Sequence, residues 1–139
     1  MSGEGSRRIR FAGIELEELD AGRCRAKVEM EWRGARFAGT AEEPASELRD
    51  ARCAGRAASE ALRHLAEPAG AAFDILDLET VKVLNANAVV VAIAARTGAV
   101  TRYAVGFCII RDDPAGAAVR AVLNGTNRFL SQVLDTETA

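Results

Sequence analysis

From Cys24 to Trp32 the chain alternates without a slip. Cys24, Ala26, Val28, Met30 and Trp32 are interleaved with Arg25, Lys27, Glu29 and Glu31. A period of two predicts a strand with one face in a core and the other in water. Ahead of it, Ile9, Phe11, Ile14, Leu16 and Leu19 predict another strand, and the change of parity around Ala12-Gly13 predicts a β-bulge there. Asp20-Ala21-Gly22 is the turn between them, and after Arg33-Gly34 a third strand runs through Phe37 to about Thr40. Pro44 then suits the first turn of a helix, with Glu42 and Glu43 beside its positive end. Its apolar stripe, Leu48, Ala51, Gly55, Ala58, Leu62 and Leu65, returns every three or four residues and is built mostly of small side chains. Pro68-Ala69-Gly70 ends that helix.

The second half repeats the plan. Phe73 to Leu84 predicts a long, irregular strand, and Asn85-Ala86-Asn87 a turn. Val89 to Ala94 and Tyr103 to Ile110 are apolar runs on either side of Arg96-Thr97-Gly98, which reads as a hairpin. Asp113 is a good N-cap with Pro114 at the first helical position, and Ala118, Val122, Gly125, Phe129 and Val133 form the last stripe. The order is therefore βββα-βββα, and Gly39 and Gly106 each precede a helix at the end of an aromatic-containing strand. The fold class expected is α+β: two pseudo-symmetric βββα units, each an antiparallel sheet packed with one helix. Residues 1–139 form a single domain on this reading, with a disordered start over 1–7, units over 8–66 and 72–134, and a tail over 135–139. The second hairpin is apolar on both faces, whereas the Cys24–Trp32 strand has a charged one. A strand needs apolar residues on both faces only when both are covered. This predicts a homodimer held through Val89, Val91, Ile93, Tyr103 and Val105.

Composition narrows the function classes. With 49% hydrophobic and 27% charged residues and a net charge of −2, nothing draws the chain to nucleic acid or an anionic membrane. Its apolar runs fall well short of the roughly 20 residues of a membrane span. No signal-peptide pattern follows Met1, so a cytoplasmic, non-membrane protein is expected. Cys24, Cys53 and Cys108 lack CxxC spacing and read as free thiols in a reducing compartment. His64 is the only histidine, Asp112-Asp113 reads as a helix cap, and no set of metal ligands or catalytic residues is visible, so neither metal nor cofactor is expected. Arg49, Arg52, Arg56 and Arg63 share one helical stripe, but Glu47, Asp50 and Glu60 are interleaved, which favours a solvated face over an RNA surface. Asn124 and Asn127 sit beside a small-residue stripe, where they either face water or contact a ligand or second chain.

Three segments carry a resemblance. They are Ala117 to Arg128 (AAVRAVLNGTNR), the strand Tyr103-Ala104-Val105-Gly106, and Arg36-Phe37-Ala38-Gly39-Thr40. Over about Arg23 to Leu130 the chain resembles the C-terminal regulatory, or dimerisation, domain of 2-isopropylmalate synthase and its relatives, a module of two βββα units. The resemblance implies allosteric sensing of a small ligand, leucine in that family, received near the start of a helix. Carried over residue by residue, the ligand-binding candidates are Glu43, Pro44, Ser46 and Asp113, joined by Asn124 and Asn127. The acids ahead of the two helices predict a preference for a cation, an amine or a neutral ligand over a free carboxylate. The barrel that carries that family's acyl-transfer chemistry is absent from this sequence. The function expected is a non-enzymatic, stand-alone regulatory module whose partners are a second copy and either a small effector or a partner enzyme. The alternatives are a small enzyme with its site at the dimer cleft, or an RNA-binding protein.

Overall fold

The computed structural model describes the backbone of residues 8–138 and the side chains of residues 8–127 and of Phe129. The expected disorder over 1–7 lies outside the described residues, as do the side chains of the 135–139 tail. Strands β1 (Arg10–Glu18), β2 (Cys24–Trp32) and β3 (Ala35–Glu43) make one antiparallel sheet in that order, followed by helix α1 (Arg49–Ala66). Strands β4 (Ala71–Val83), β5 (Ala86–Thr97) and β6 (Val100–Ile109) make a second, followed by helix α2 (Pro114–Thr138). The protein is α+β, two βββα units with a helix on each sheet, and the two helices also pack on each other.

The alternation of β2 is realised residue by residue. Cys24, Ala26, Val28 and Met30 are buried, and the opposite face carries a lattice of ion pairs. Arg25 bridges Glu17 on β1 and Glu42 on β3, while Arg36 reaches Glu29 and Arg10 reaches Glu31. Exposed pairs like these contribute little stability each, but they leave that face wet.

Each helix lies directly on its sheet because a glycine lets it. Gly39 pairs with Val28 and Gly106 with Val91, the same place in the two units. A Cβ on Gly39 would overlap Ala57 O and Ala61 N of α1, and one on Gly106 would overlap Ala121 O and stand 2.6 Å from Gly125 N of α2. Strand backbone thus touches helix backbone, which only small residues on both sides permit. The bulges repeat as well. Ala12 is the extra residue opposite Met30–Glu29, and Leu76 is the extra residue opposite Ile93–Ala92. Met30 and Ile93 each lie two residues beyond the valine that faces the close-packed glycine. The bulge predicted at Ala12-Gly13 is therefore one of a pair.

Three boundaries differ from the sequence reading. β3 runs on to Glu43, because Cys24–Glu43 and Arg25–Glu42 still pair, so Pro44 lies in an extended link and α1 begins at Arg49. α2 starts at Pro114 as expected and continues past 134 to Thr138. The turn between β4 and β5 is Leu84-Asn85, both at positive φ (49° and 68°), one residue earlier than the asparagine signal suggested. That is the dihedral pair of a two-residue hairpin turn that matches strand twist.

The free sheet edges are blunted by helix side chains. Arg56 donates to Glu42 O at 3.1 Å, and His64 Nδ1 lies 2.9 Å from Ala38 O, both on β3. Ser59 donates to Phe73 O of β4 at 2.9 Å, and Asn124 accepts from Phe107 N of β6 at 3.1 Å. Satisfying these groups in place removes the template that an open edge offers to another strand. Among the described residues, no helix is long and apolar enough to cross a membrane.

Candidate functional site

A cleft of about 390 Å3 opens where the two units meet, at the N-terminal end of α1. Its walls are Gly22 of the β1–β2 turn, Ala45 to Ala51 leading into α1, Thr80 of β4, and Ile110 and Pro114 at the start of α2. Both halves of the repeat build it, and its size is that of a small-molecule site.

Arg49 shapes one wall. Its guanidinium donates to Glu18 of β1, to Gly22 O at 2.9 Å and to Asp50 at 2.8 Å. The turn it grips holds Ala21 and Gly22 at positive φ (63° and 74°). One side chain thus ties the end of β1, the following turn and the start of α1. The hydrogen bond from Arg49 holds the Glu18 carboxyl below its ordinary range. A carboxylate with a lowered folded value contributes stability that is complete above the ordinary range and lost as pH falls through the lowered value. Glu18→Gln should therefore lower Tm slightly at neutral pH and converge on the unmodified protein as pH falls between about 5 and 3, flattening the decline. Parallel melting curves for the two proteins across that range would show that the clamp contributes nothing.

The two helix N-termini are finished differently. Asp113 caps α2, accepting from Gly116 N at 2.5 Å. Leu48 stands at the N-cap of α1 and makes no side-chain hydrogen bond there; Arg49 N donates to Ser46 O at 3.3 Å, and the next two amides of the first turn carry no side-chain cap from Leu48. Glu47 lines the same cleft and has no ion pair among the described residues.

The sequence candidates divide between this cleft and other places. Ser46 lines the cleft, and Asp113 sits beside its far wall at Pro114. Pro44 is exposed in the link before α1 and is not a wall residue. Glu43 points elsewhere, paired with Arg56 in a separate recess with Arg52 and Leu76. Glu42 is held by Arg23 and Arg25. Of the acids expected to disfavour a carboxylate, Glu42 and Glu43 are paired with arginines and do not reach the cleft, while Asp113 stands beside its wall with one oxygen on Gly116 N. Asn124 is spent on Phe107 N, and Asn127 accepts from Ile9 N at 3.0 Å, so both hold backbone in place. Sequence reasoning missed Glu47, Arg49, Thr80 and Ile110. Of these only Arg49, as one member of the arginine stripe, and Glu47, as an acid interleaved with it, gave any signal. That stripe is itself largely spent on acids: Arg49 on Glu18 and Asp50, Arg56 on Glu43, and Arg63 on Glu60.

The second candidate surface is the outer face of the β4–β6 sheet. Val89, Val91 and Ile93 do not belong to it, since they are at most 1% exposed and point into the core. Their neighbours Val90, Ala92 and Ala94 pair with Phe107, Val105 and Tyr103, and these six form the open side. Tyr103, Val105 and Phe107 are 72%, 61% and 54% exposed. The interface expected from the sequence therefore mixed two faces. Tyr103 and Val105 lie on the open one, and the three β5 residues named with them lie on the buried one.

The cysteines are free, with Cys24 and Cys53 buried and Cys108 half-buried. Burial, with Cys24 beside it, pushes the Cys53 thiol up to about 12. Since the thiolate is the reactive form, maleimide should label Cys108 first in the native protein and reach the other two only on unfolding. Peptide mapping after a timed pulse reads this, and early label on Cys53 would overturn it. Among the described residues, no group of three or more His, Cys, Asp and Glu side chains is placed to hold a metal ion. No protein-family model matches the chain, and no curated protein matches it.

Proposed function

We propose that this protein is a non-enzymatic, stand-alone regulatory module of the kind its sequence resembles, cytoplasmic and homodimeric, which binds a small effector in the cleft between its two units. The observation that carries this reading is the cleft itself, walled by the starts of both helices and by Thr80 between them. A ligand there touches both halves of the repeat at once, which is what coupling a small molecule to a shift between them requires. The wall chemistry favours a particular class. Uncapped first-turn amides suit a carboxylate, Glu47 suits an ammonium, and Leu48, Ala51, Ile110 and Pro114 offer a short apolar side chain a place to lie. Those are the parts of a small α-amino acid.

The test is a thermal-shift panel of leucine, isoleucine, valine, their methyl esters and a set of acyl-CoAs, followed by calorimetry. One free amino acid should raise Tm by several degrees at saturating concentration. Its methyl ester should do so less, and Thr80→Trp, which fills the cleft from an exposed strand position, should abolish the shift while leaving the unliganded Tm in place. Absence of any shift at millimolar concentration, or binding unchanged by Thr80→Trp, would overturn the assignment.

A further inference from the structure

We infer that the groove along α1, between the edges of β3 and β4, docks a short, extended, acidic segment of a partner protein. Two recesses of about 140 and 300 Å3 adjoin there and share Arg56 and Ile75. Strand β3 forms one wall, β4 the other and α1 the floor. The groove shares no wall residue with the cleft at the start of α1, so the two sites are separate. Both walls offer unspent main chain. Strands β3 and β4 are edge strands, and the carbonyls that α1 holds show which residues point outward. Arg56 reaches Glu42 O and His64 Nδ1 lies against Ala38 O, so Thr40, midway between them, also turns its amide and carbonyl outward. On β4, Ser59 holds Phe73 O, and Ile75, two residues on, points the same way. Among the described residues no other element hydrogen-bonds the main chain of Thr40 or Ile75. Both line the larger recess.

Length and charge define the occupant. The bonds from α1 close β3 on either side of Thr40, and the Leu76 bulge breaks the β4 edge just beyond Ile75, which excludes a long added strand. A short one fits. Arg52 and Glu60 lie about two turns apart on the floor, roughly 12 Å, the reach of about three or four extended residues. Successive residues of such a segment present N–H and C=O to opposite sides, so one pairs with Thr40 and the next with Ile75. The acids along the groove are already engaged: Glu43 with Arg56, Glu60 with Arg63, Asp74 with Arg96, and Asp77 with the amide of Leu78. Arg52 is half-buried in the smaller recess and has no ion pair among the described residues, unlike Arg49, Arg56 and Arg63 of the same stripe. A guanidinium so placed is completed by a carboxylate, which it holds through two parallel hydrogen bonds. Beside it Leu76, 57% exposed at the bulge, gives apolar contact to a neighbouring branched side chain. Extended main chain, one acid and a β-branched neighbour are the marks of a strand-forming peptide.

The test is selection from a displayed library of random octapeptides on the immobilised full chain, followed by fluorescence polarisation with the strongest peptide. Enrichment of an acidic residue next to Val, Ile or Thr is expected. Arg52→Ala should weaken that peptide about tenfold or more without moving Tm, since the Arg52 side chain holds nothing in the unbound protein. Lysine in place of the peptide's acid should weaken it as much. Hydrogen exchange with the peptide bound should slow at the amides of Thr40 and Ile75. No enrichment of an acidic residue, equal binding by Arg52→Ala, or protection confined to the cleft or the β4–β6 face would overturn the docking groove.

Discussion

Gly106→Ala should cost at least about 3 kcal/mol, close to the upper range for a single methyl group added to a core, and lower Tm by on the order of 10 °C. The added carbon meets backbone, not the end of a side chain: Ala121 O, Gly125 N and Gly125 Cα of α2 all stand in its place. Backbone cannot turn aside, so relief requires lifting the whole helix from the sheet and opening the layer beneath it. Gly39→Ala should behave the same way in the first unit, against Ala57, Glu60 and Ala61 of α1. Gly55→Ala is the control. Its new methyl meets Leu78 Cδ1 at 2.9 Å and Ile75 Cδ1 at 3.5 Å, the far ends of flexible side chains, and alanine is also the better helix former, so the effect should stay within about 1 kcal/mol. Thermal or urea denaturation of the three variants decides it. Equal losses for Gly55→Ala and Gly106→Ala would mean that the close approach of strand and helix is not what the glycines serve.

Those glycines were visible in the sequence as a repeated feature, but their reason was not. The residues that touch Gly39 and Gly106 lie about one helix away in the chain, and only the docked helix shows that Ala61 and Gly125 are their counterparts. Local signals did better where local physics decides. The alternation of Cys24 to Trp32, the parity slip at Ala12-Gly13 and the Asp113-Pro114 helix start all stand where the residues placed them. The first helix start was misplaced because Pro44 can end a strand as readily as it can open a helix. What settles it is pairing of Glu42 and Glu43 with β2 and the grip of Arg49 on Glu18, a residue 31 positions away. The cleft was illegible for the same reason. Gly22, Ser46, Thr80 and Ile110 come from four separate segments with no shared motif.

The β5 strand marks the limit of pattern reading, and it yields the second large effect. Val89 to Ala94 is apolar throughout, so its period says nothing about which residues face in, and the alternate set chosen from sequence was the buried one. The register resolves it: Val91 pairs with Gly106 beneath α2, while Val90 pairs with Glu79 and Phe107 on the open face. The same substitution at these adjacent positions should then have opposite consequences. Val91→Lys places an ammonium where the native side chain is 0% exposed, among residues that offer it no carboxylate. It should destabilise by about 4 kcal/mol or more, enough to unfold a protein of ordinary stability. Val90→Lys sets its charge on the outer face directly across from Glu79, an opposite-charge cross-strand pair that stabilises slightly. It should keep the native circular dichroism spectrum and a Tm close to that of the unmodified monomer, while the charge it plants in the open face drives any dimer apart. Far-ultraviolet melting of the two variants, with sedimentation of the folded one, reads both outcomes. A folded Val91→Lys protein or an unfolded Val90→Lys protein would reverse the assignment of faces.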